Sequence, residues 1–183
     1  MMHHANLNPI AQKLFDITSQ DTSLCYQCGK CSAGCPLRDF METPPNRVVR
    51  YLQLGLYELA LNSASIWLCA GCQTCSSRCP KNFEIAKLMD ALRQISIELG
   101  VRPKDEKVLK FHKAFLKQIK NNGRSFELGL VRDYKLSTGK YFQDLDLAPE
   151  TLMKGKMAFK PHKMKNKEKI QQIFDKSMKR DAK

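Results

Sequence analysis

Apolar residues recur at helical spacing along most of this chain. Ile10, Leu14 and Ile17 fall three to four residues apart, which predicts a short amphipathic helix over residues 9–19 that ends before the polar run Asp21-Thr22-Ser23. Pro44-Pro45 suits the first turn of a second helix, since the amide hydrogen that proline lacks has no intrahelical partner there. That helix is expected over 45–53 with Val48, Val49 and Leu52 inward, and Gly55 stops it before another over 56–62. Ile85, Leu88, Met89, Leu92 and Ile95 share one face of a longer helix over 83–99, with Gly100 where a C-cap belongs. Val108, Phe111, Phe115 and Ile119 mark a further amphipathic helix over 104–120, ended by Asn121-Asn122-Gly123. Residues 124–159 show no sustained period and are expected to be irregular, lying over a surface or ordering against a partner. Ile170, Ile173 and Phe174 indicate a last helix over 165–179, with the final residues expected to be mobile. No stretch reads as a strand, so the predicted class is all-α.

Charge divides the chain. Residues 1–100 carry 9 basic and 8 acidic side chains, while residues 101–183 carry 22 and 10. The expected organisation is therefore a near-neutral domain over 1–100 and a basic, helical or irregular extension over 101–183. The most apolar stretch, Leu52 to Leu68, is broken by Glu58, Asn62 and Ser63, which argues against a membrane span. Met1 to Asp16 lacks the basic-then-apolar pattern of a secretory leader, so a cytoplasmic location is expected.

All 8 cysteines lie in the near-neutral half, in two tight groups. In a reducing compartment such grouping points to metal rather than disulfides. The first group reads Cys25-Tyr-Gln-Cys28-Gly-Lys-Cys31-Ser-Ala-Gly-Cys35-Pro36, and the second Cys69-Ala-Gly-Cys72-Gln-Thr-Cys75-Ser-Ser-Arg-Cys79-Pro80. The two are in register, 44 residues apart, and each is followed by a helix, which makes a pseudo-two-fold repeat. The spacing C-x-x-C-x-x-C-x-x-x-C-P is that of [4Fe–4S] ferredoxins, in which the fourth cysteine ligates the other cluster. A short loop curls round three corners of a cubane, and its next residue has by then left in another direction. The expected ligands are Cys25, Cys28, Cys31 and Cys79 for one cluster, and Cys69, Cys72, Cys75 and Cys35 for the other. Structural zinc uses two separated ligand pairs, a layout these loops do not have.

With every iron corner of both cubanes taken by cysteine, no position is left open for a substrate, so electron relay is expected rather than bond chemistry. Gly29, Gly34 and Gly71 let backbone approach the sulfurs. Lys30 and Arg78 read first as solvated or docking charges, and second as groups that raise a potential. His3, His4, His112 and His162 lack companions and read as surface residues, while Trp67 reads as core. No nucleic-acid module is present, and the lysines of the basic half are spread along helix faces, which fits docking on an acidic protein partner better than binding nucleic acid.

The cysteine half, from Asn8 through Gly100, resembles the C subunit of heterodisulfide reductase, of the two-cluster α-helical ferredoxin family. CYQCGKCSAGCP, the following PP-R-V-R-Y-L-Q-L-G run and W-L-C-A-G-C-Q-T-C-S-S-R-C-P carry that resemblance. It implies an α-helical ferredoxin fold and a non-catalytic subunit of an oxidoreductase complex. In such a complex a flavin-containing subunit of type A passes electrons through this chain to a catalytic subunit of type B, which cleaves a disulfide. In methanogens that disulfide joins coenzymes M and B. Relatives with the same fold serve other dehydrogenase complexes, which gives one alternative. The other is a free two-cluster ferredoxin, against which the basic half and the apolar residues Leu128, Leu130 and Phe142 argue. The sequence shows no Cys-Cys-Gly-rich domain of the kind fused relatives carry, which fits a separate type B partner in a hetero-oligomer.

Overall fold

The computed structural model describes residues 8–101, 103, 106–139, 153, 160–161 and 164–181. Among them every regular element is helical. The chain divides into two compact units, residues 1–106 and 107–183.

The first unit runs α1 (Pro9–Thr18), a 3-10 turn (Thr22–Leu24), α2 (Lys30–Ala33), a second 3-10 turn (Arg38–Phe40), α3 (Pro45–Gln53), α4 (Tyr57–Leu61), α5 (Ala64–Leu68), α6 (Thr74–Ser77) and α7 (Ile85–Glu98). Helix α7 is the central element, packed by α1, α4, α5 and α6. Its stripe of Ile85, Leu88, Met89, Leu92 and Ile95 is buried as the spacing predicts, and Val48, Val49 and Leu52 of α3 join the same core. Each such side chain contributes about 1.5–3 kcal/mol on leaving water.

Local chemistry sets the ends. The Asn8 carboxamide accepts the Ile10 amide hydrogen at 2.9 Å and caps α1, which closes on Ser19 in the left-handed region. Gly100, at φ 67°, closes α7, and the Val101 amide returns to the Ser96 carbonyl at 2.9 Å. Of the four helices of four or five residues, α4 answers to the one expected over 56–62, whereas α2, α5 and α6, like both 3-10 turns, have no counterpart among the expected elements, because so short a piece shows little period.

All but the first residue of α8 (Glu106–Asn122), together with α9 (Glu127–Thr138) and α10 (Lys167–Asp181), falls in the second unit. Here one expectation is corrected: residues 127–138, expected to be irregular, form a helix. Its inward positions are Gly129 and Asp133 rather than large apolar residues, so no hydrophobic stripe announces it. At Gly129 an added Cβ would stand 2.6 Å from the Phe126 ring and 2.7 Å from Gln118 Oε1. Asp133 accepts hydrogen bonds from Gln118 of α8 and Arg132, and pairs with Lys117 at 3.0 Å. Leu128 and Leu130 are half-buried. The remaining expectations for 140–159, including Phe142, fall outside the described residues apart from Met153, as do those for His3, His4 and His162. His112 lies against Phe111, their ring centroids 6.4 Å apart. Among the described residues no helix is long and apolar enough to cross a membrane.

Candidate metal centre

The two cysteine loops have the same backbone. In the first, Gln27 and Gly29 take left-handed conformations at φ 62° and 78°, and in the second Gly71 and Gln73 do so at 64° and 63°. These are the third and fifth positions of each motif, with glycine at one and glutamine at the other, in opposite order. The ladder beyond is also repeated. The amides of Ala33, Gly34, Cys35 and Arg38 bond to the carbonyls of Gly29, Lys30, Ser32 and Cys35, and those of Ser77, Arg78, Cys79 and Asn82 to Gln73, Thr74, Ser76 and Cys79. Two left-handed residues followed by one helical turn give both loops the same course, and the turn carries the fourth cysteine beyond the first three.

The helix after each loop ties back to the loop's first cysteine. Gln53 at the end of α3 donates its carboxamide to the carbonyls of Thr22 at 2.9 Å and Cys25 at 2.6 Å. Arg93 of α7 donates its guanidinium to the carbonyls of Ile66 and Cys69. Thus the loops repeat at an interval of 44 residues while the supporting helices repeat at 40, the connection after Pro80 being shorter than the one after Pro36.

Cys31 and Cys75 are buried, Cys28 and Cys72 exposed, and Cys25, Cys35, Cys69 and Cys79 in between. Cys35, Cys69, Cys72 and Cys75 line one cavity, with Thr74 and the apolar side chains of Met41, Ile85 and Met89. At the other loop, partial loss of solvent pushes the Tyr26 hydroxyl above its usual pKa, and the sulfurs of Cys28, Cys79 and Cys25 act in the same direction. The loops meet back to back where α2 packs on α6. Gly34 is at φ −100° and has no need of glycine's conformational freedom. It instead makes room: an added Cβ would lie 2.6 Å from Cδ of Arg78, the residue at the same motif position in the second loop.

The donor set fits a thiolate-bound cluster. Burial is the main influence on the Cys31 and Cys75 thiols and pushes both up. The Thr74 hydroxyl, 3.4 Å from Cys72 Sγ, lowers that thiol. Gln27 Nε2 donates to Cys25 Sγ at 3.5 Å. Two buried donors, the Ser76 hydroxyl in the second loop and Trp67 Nε1 two residues before it in sequence, have no hydrogen-bond partner within the protein. Buried polar groups are rarely left unpaired, and sulfide or iron-bound thiolate would accept from them. Among the described residues no three cysteine, histidine or carboxylate side chains lie as close as a single ion needs. Thiolates on a tetrahedral zinc stand about 3.8 Å apart, and those on the corners of a cubane stand wider.

Residues 21–83 match the family model described as a 4Fe-4S dicluster domain. The chain is 33% identical over 85 residues to the iron-sulfur C subunit of the CoB–CoM heterodisulfide reductase of Methanopyrus kandleri, a match covering 46% of this chain and 44% of that protein. It is 38% identical over 76 residues to the corresponding iron-sulfur C 2 subunit of Methanocaldococcus jannaschii, covering 42% and 40%. With the C subunit of the ferredoxin:CoB-CoM heterodisulfide reductase of Methanosarcina acetivorans it shares 37% over 78 residues, covering 43% and 31%. The chain thus spans less than half the length of each of these relatives. The all-α fold with a dicluster ferredoxin-type domain and the resemblance to the heterodisulfide reductase C subunit, both read from the sequence, are borne out.

Proposed function

We propose that this chain is the electron-transfer subunit of a heterodisulfide reductase-like complex. It carries two [4Fe–4S] clusters and no catalytic site of its own. Cys25, Cys28, Cys31 and Cys79 hold one cluster, and Cys69, Cys72, Cys75 and Cys35 the other. The observation that carries this reading is the cavity shared by Cys35 with the three cysteines of the other loop. Each bound cluster takes up and releases single electrons. The protein's own part is to enclose the sulfurs, to fix the loops through Gln53 and Arg93, and to pack one loop on the other through α2 and α6.

Electrons enter from a flavin-containing subunit of type A and leave to a disulfide-reducing subunit of type B, in the cytoplasm. The first domain, residues 1–100, is the relay. The basic extension, residues 101–183, docks on one of these partners through its excess of lysine.

Anaerobic purification of the native protein from its own cells tests the reading. About eight irons per chain, as two cubanes require, and co-elution with a flavoprotein and a cysteine-rich partner are expected. Zinc in place of iron, or elution alone, overturns it. Replacing Cys79 with alanine tests the crossed ligation: the cluster of Cys25, Cys28 and Cys31 should lose its EPR signal. Loss from the cluster of Cys69, Cys72 and Cys75 instead would sink the assignment.

A further inference from the structure

The loops have the same backbone but do not offer their sulfurs the same protons. Ser32 and Ser76 occupy the same motif position, each following the buried third cysteine. The Ser32 hydroxyl donates to Asn46 Oδ1 at 2.6 Å and accepts the Asn46 amide hydrogen at 3.0 Å. Its single proton is therefore spent on α3, and Cys31 Sγ lies farther off at 3.9 Å. The residue of α7 that corresponds to Asn46, at the 40-residue interval that relates Gln53 to Arg93, is Ala86. Alanine offers no acceptor, and the buried Ser76 hydroxyl has no acceptor within the protein, Cys75 Sγ included. The preceding turn differs in the same sense, because Thr74 stands where the first loop has Lys30. The Thr74 hydroxyl lies 3.4 Å from Cys72 Sγ, and once that sulfur is an iron-bound thiolate only the hydroxyl has a proton to give.

The first loop has one such donor, the Gln27 carboxamide at 3.5 Å from Cys25 Sγ, for which the second has Gly71. Charge gives the first loop a small excess: Lys30 and Arg78 put one cation in each loop and Asp90 offsets Arg93 beside the second, while Arg50 beside the first is bonded to the neutral Gln53. Arg50 is exposed and screened by solvent, so the larger difference is two hydroxyl protons against one carboxamide. Gaining an electron makes a cluster more negative, and donors to its sulfurs favour that state.

We propose that the two clusters are poised unequally, the one on Cys69, Cys72 and Cys75 at the higher potential, because the Thr74 hydroxyl faces Cys72 Sγ and the buried Ser76 hydroxyl has no acceptor but the cluster's own sulfurs. This rests on the two-cluster reading above. It makes the second loop the place where a single electron comes to rest and the first the place from which it is passed on most readily.

The test is an EPR-monitored redox titration of the full chain, loaded anaerobically with iron and sulfide and reduced by dithionite. Wild type should titrate in two waves. In the double variant Thr74→Val with Ser76→Ala the upper wave should fall toward the lower by about tenfold in the reduction equilibrium, about 59 mV for one electron. Asn46→Ala gives the first loop the alanine that the second already has and frees the Ser32 proton, so it should raise the lower wave. An upper wave that stays put in the double variant, or a lower wave that falls in its place, overturns the inference. If the double variant fails to take up iron, Thr74→Val alone and Asn46→Ala decide on the same criteria. Failure of the two-cluster reading is seen separately, as wild-type protein without eight irons and eight sulfides, and would remove the inference with it.

Discussion

Four residues in the cysteine loops sit in the left-handed region, and two of them are glutamine. That conformation costs a residue with a Cβ roughly 1–2 kcal/mol, a penalty glycine escapes. Gln27 offsets it by donating to Cys25 Sγ and to Gln53 Oε1. Gln73 is exposed and makes no such bond, so Gln73→Gly should stabilise the loaded protein by about 1 kcal/mol. Gly29→Ala should cost about as much. Denaturant melts of the two variants, read against wild type under anaerobic conditions, check both.

Asp133 shows a different balance. Burial alone would push its carboxyl up, but the hydrogen bonds and charges of Lys117 and Arg132 win and hold it below the usual range. A depressed carboxyl stabilises the fold above its unfolded pKa, and that contribution is lost as pH falls through the folded value. The pairing of α8 with α9 should therefore weaken on acidification below the ordinary aspartate range. Asp133→Asn should flatten that dependence while costing about 2 kcal/mol at neutral pH. Amide hydrogen exchange of residues 127–138 across pH measures both effects.

At the scale of elements, each cysteine loop depends on one side chain from the helix that follows. Gln53→Ala leaves the carbonyls of Thr22 and Cys25 without this donor, and Arg93→Ala does the same to Ile66 and Cys69. Either change should cost about 1–3 kcal/mol. Each should also hasten iron loss from its own loop first, a selectivity that the decay of the two EPR signals after addition of a chelator would resolve.

These elements also show what the sequence could convey. Helices α1, α3 and α7 were legible because their inward residues are large and apolar. Helix α9 was not, because it packs through Gly129 and a paired Asp133, which no periodicity marks. The cysteine loops were legible as chemistry, since spacing alone implies iron ligands. The ties from Gln53 and Arg93 were not, because a glutamine and an arginine on a helix look like ordinary solvated residues until the fold lays them over a carbonyl. The Ser32–Asn46 bond was hidden for the same reason, and with it the asymmetry between two loops that read alike.

For the whole molecule, the division into two units at residue 106 separates two kinds of stability. The first unit is built from short helices round the cysteine loops, and bound iron would staple it across chain-distant residues. The second is held by its own side-chain pairs, among them Lys120 with Asp175 at 2.8 Å and the Phe111 ring edge-on to Tyr134 at 5.8 Å. Stripping iron anaerobically should therefore lower the unfolding temperature of the first unit and leave the second nearly unchanged. Site-resolved hydrogen exchange should show amides of α3 and α7 losing protection before those of α8. Equal loss in both units would mean that they unfold together.

The cavity lined by Cys35 and the second loop has a consequence for how the protein is made. Its wall runs in sequence from Cys35 to Met89. At translation rates of about 5–20 residues per second, Cys35 leaves the ribosome several seconds before the last of the residues that enclose it. During that interval its thiol waits without its companions, open to oxygen or to a stray zinc ion. Iron and sulfide could be enclosed there only after Met89 has emerged, so cofactor delivery would follow the first domain and need not wait for the basic extension.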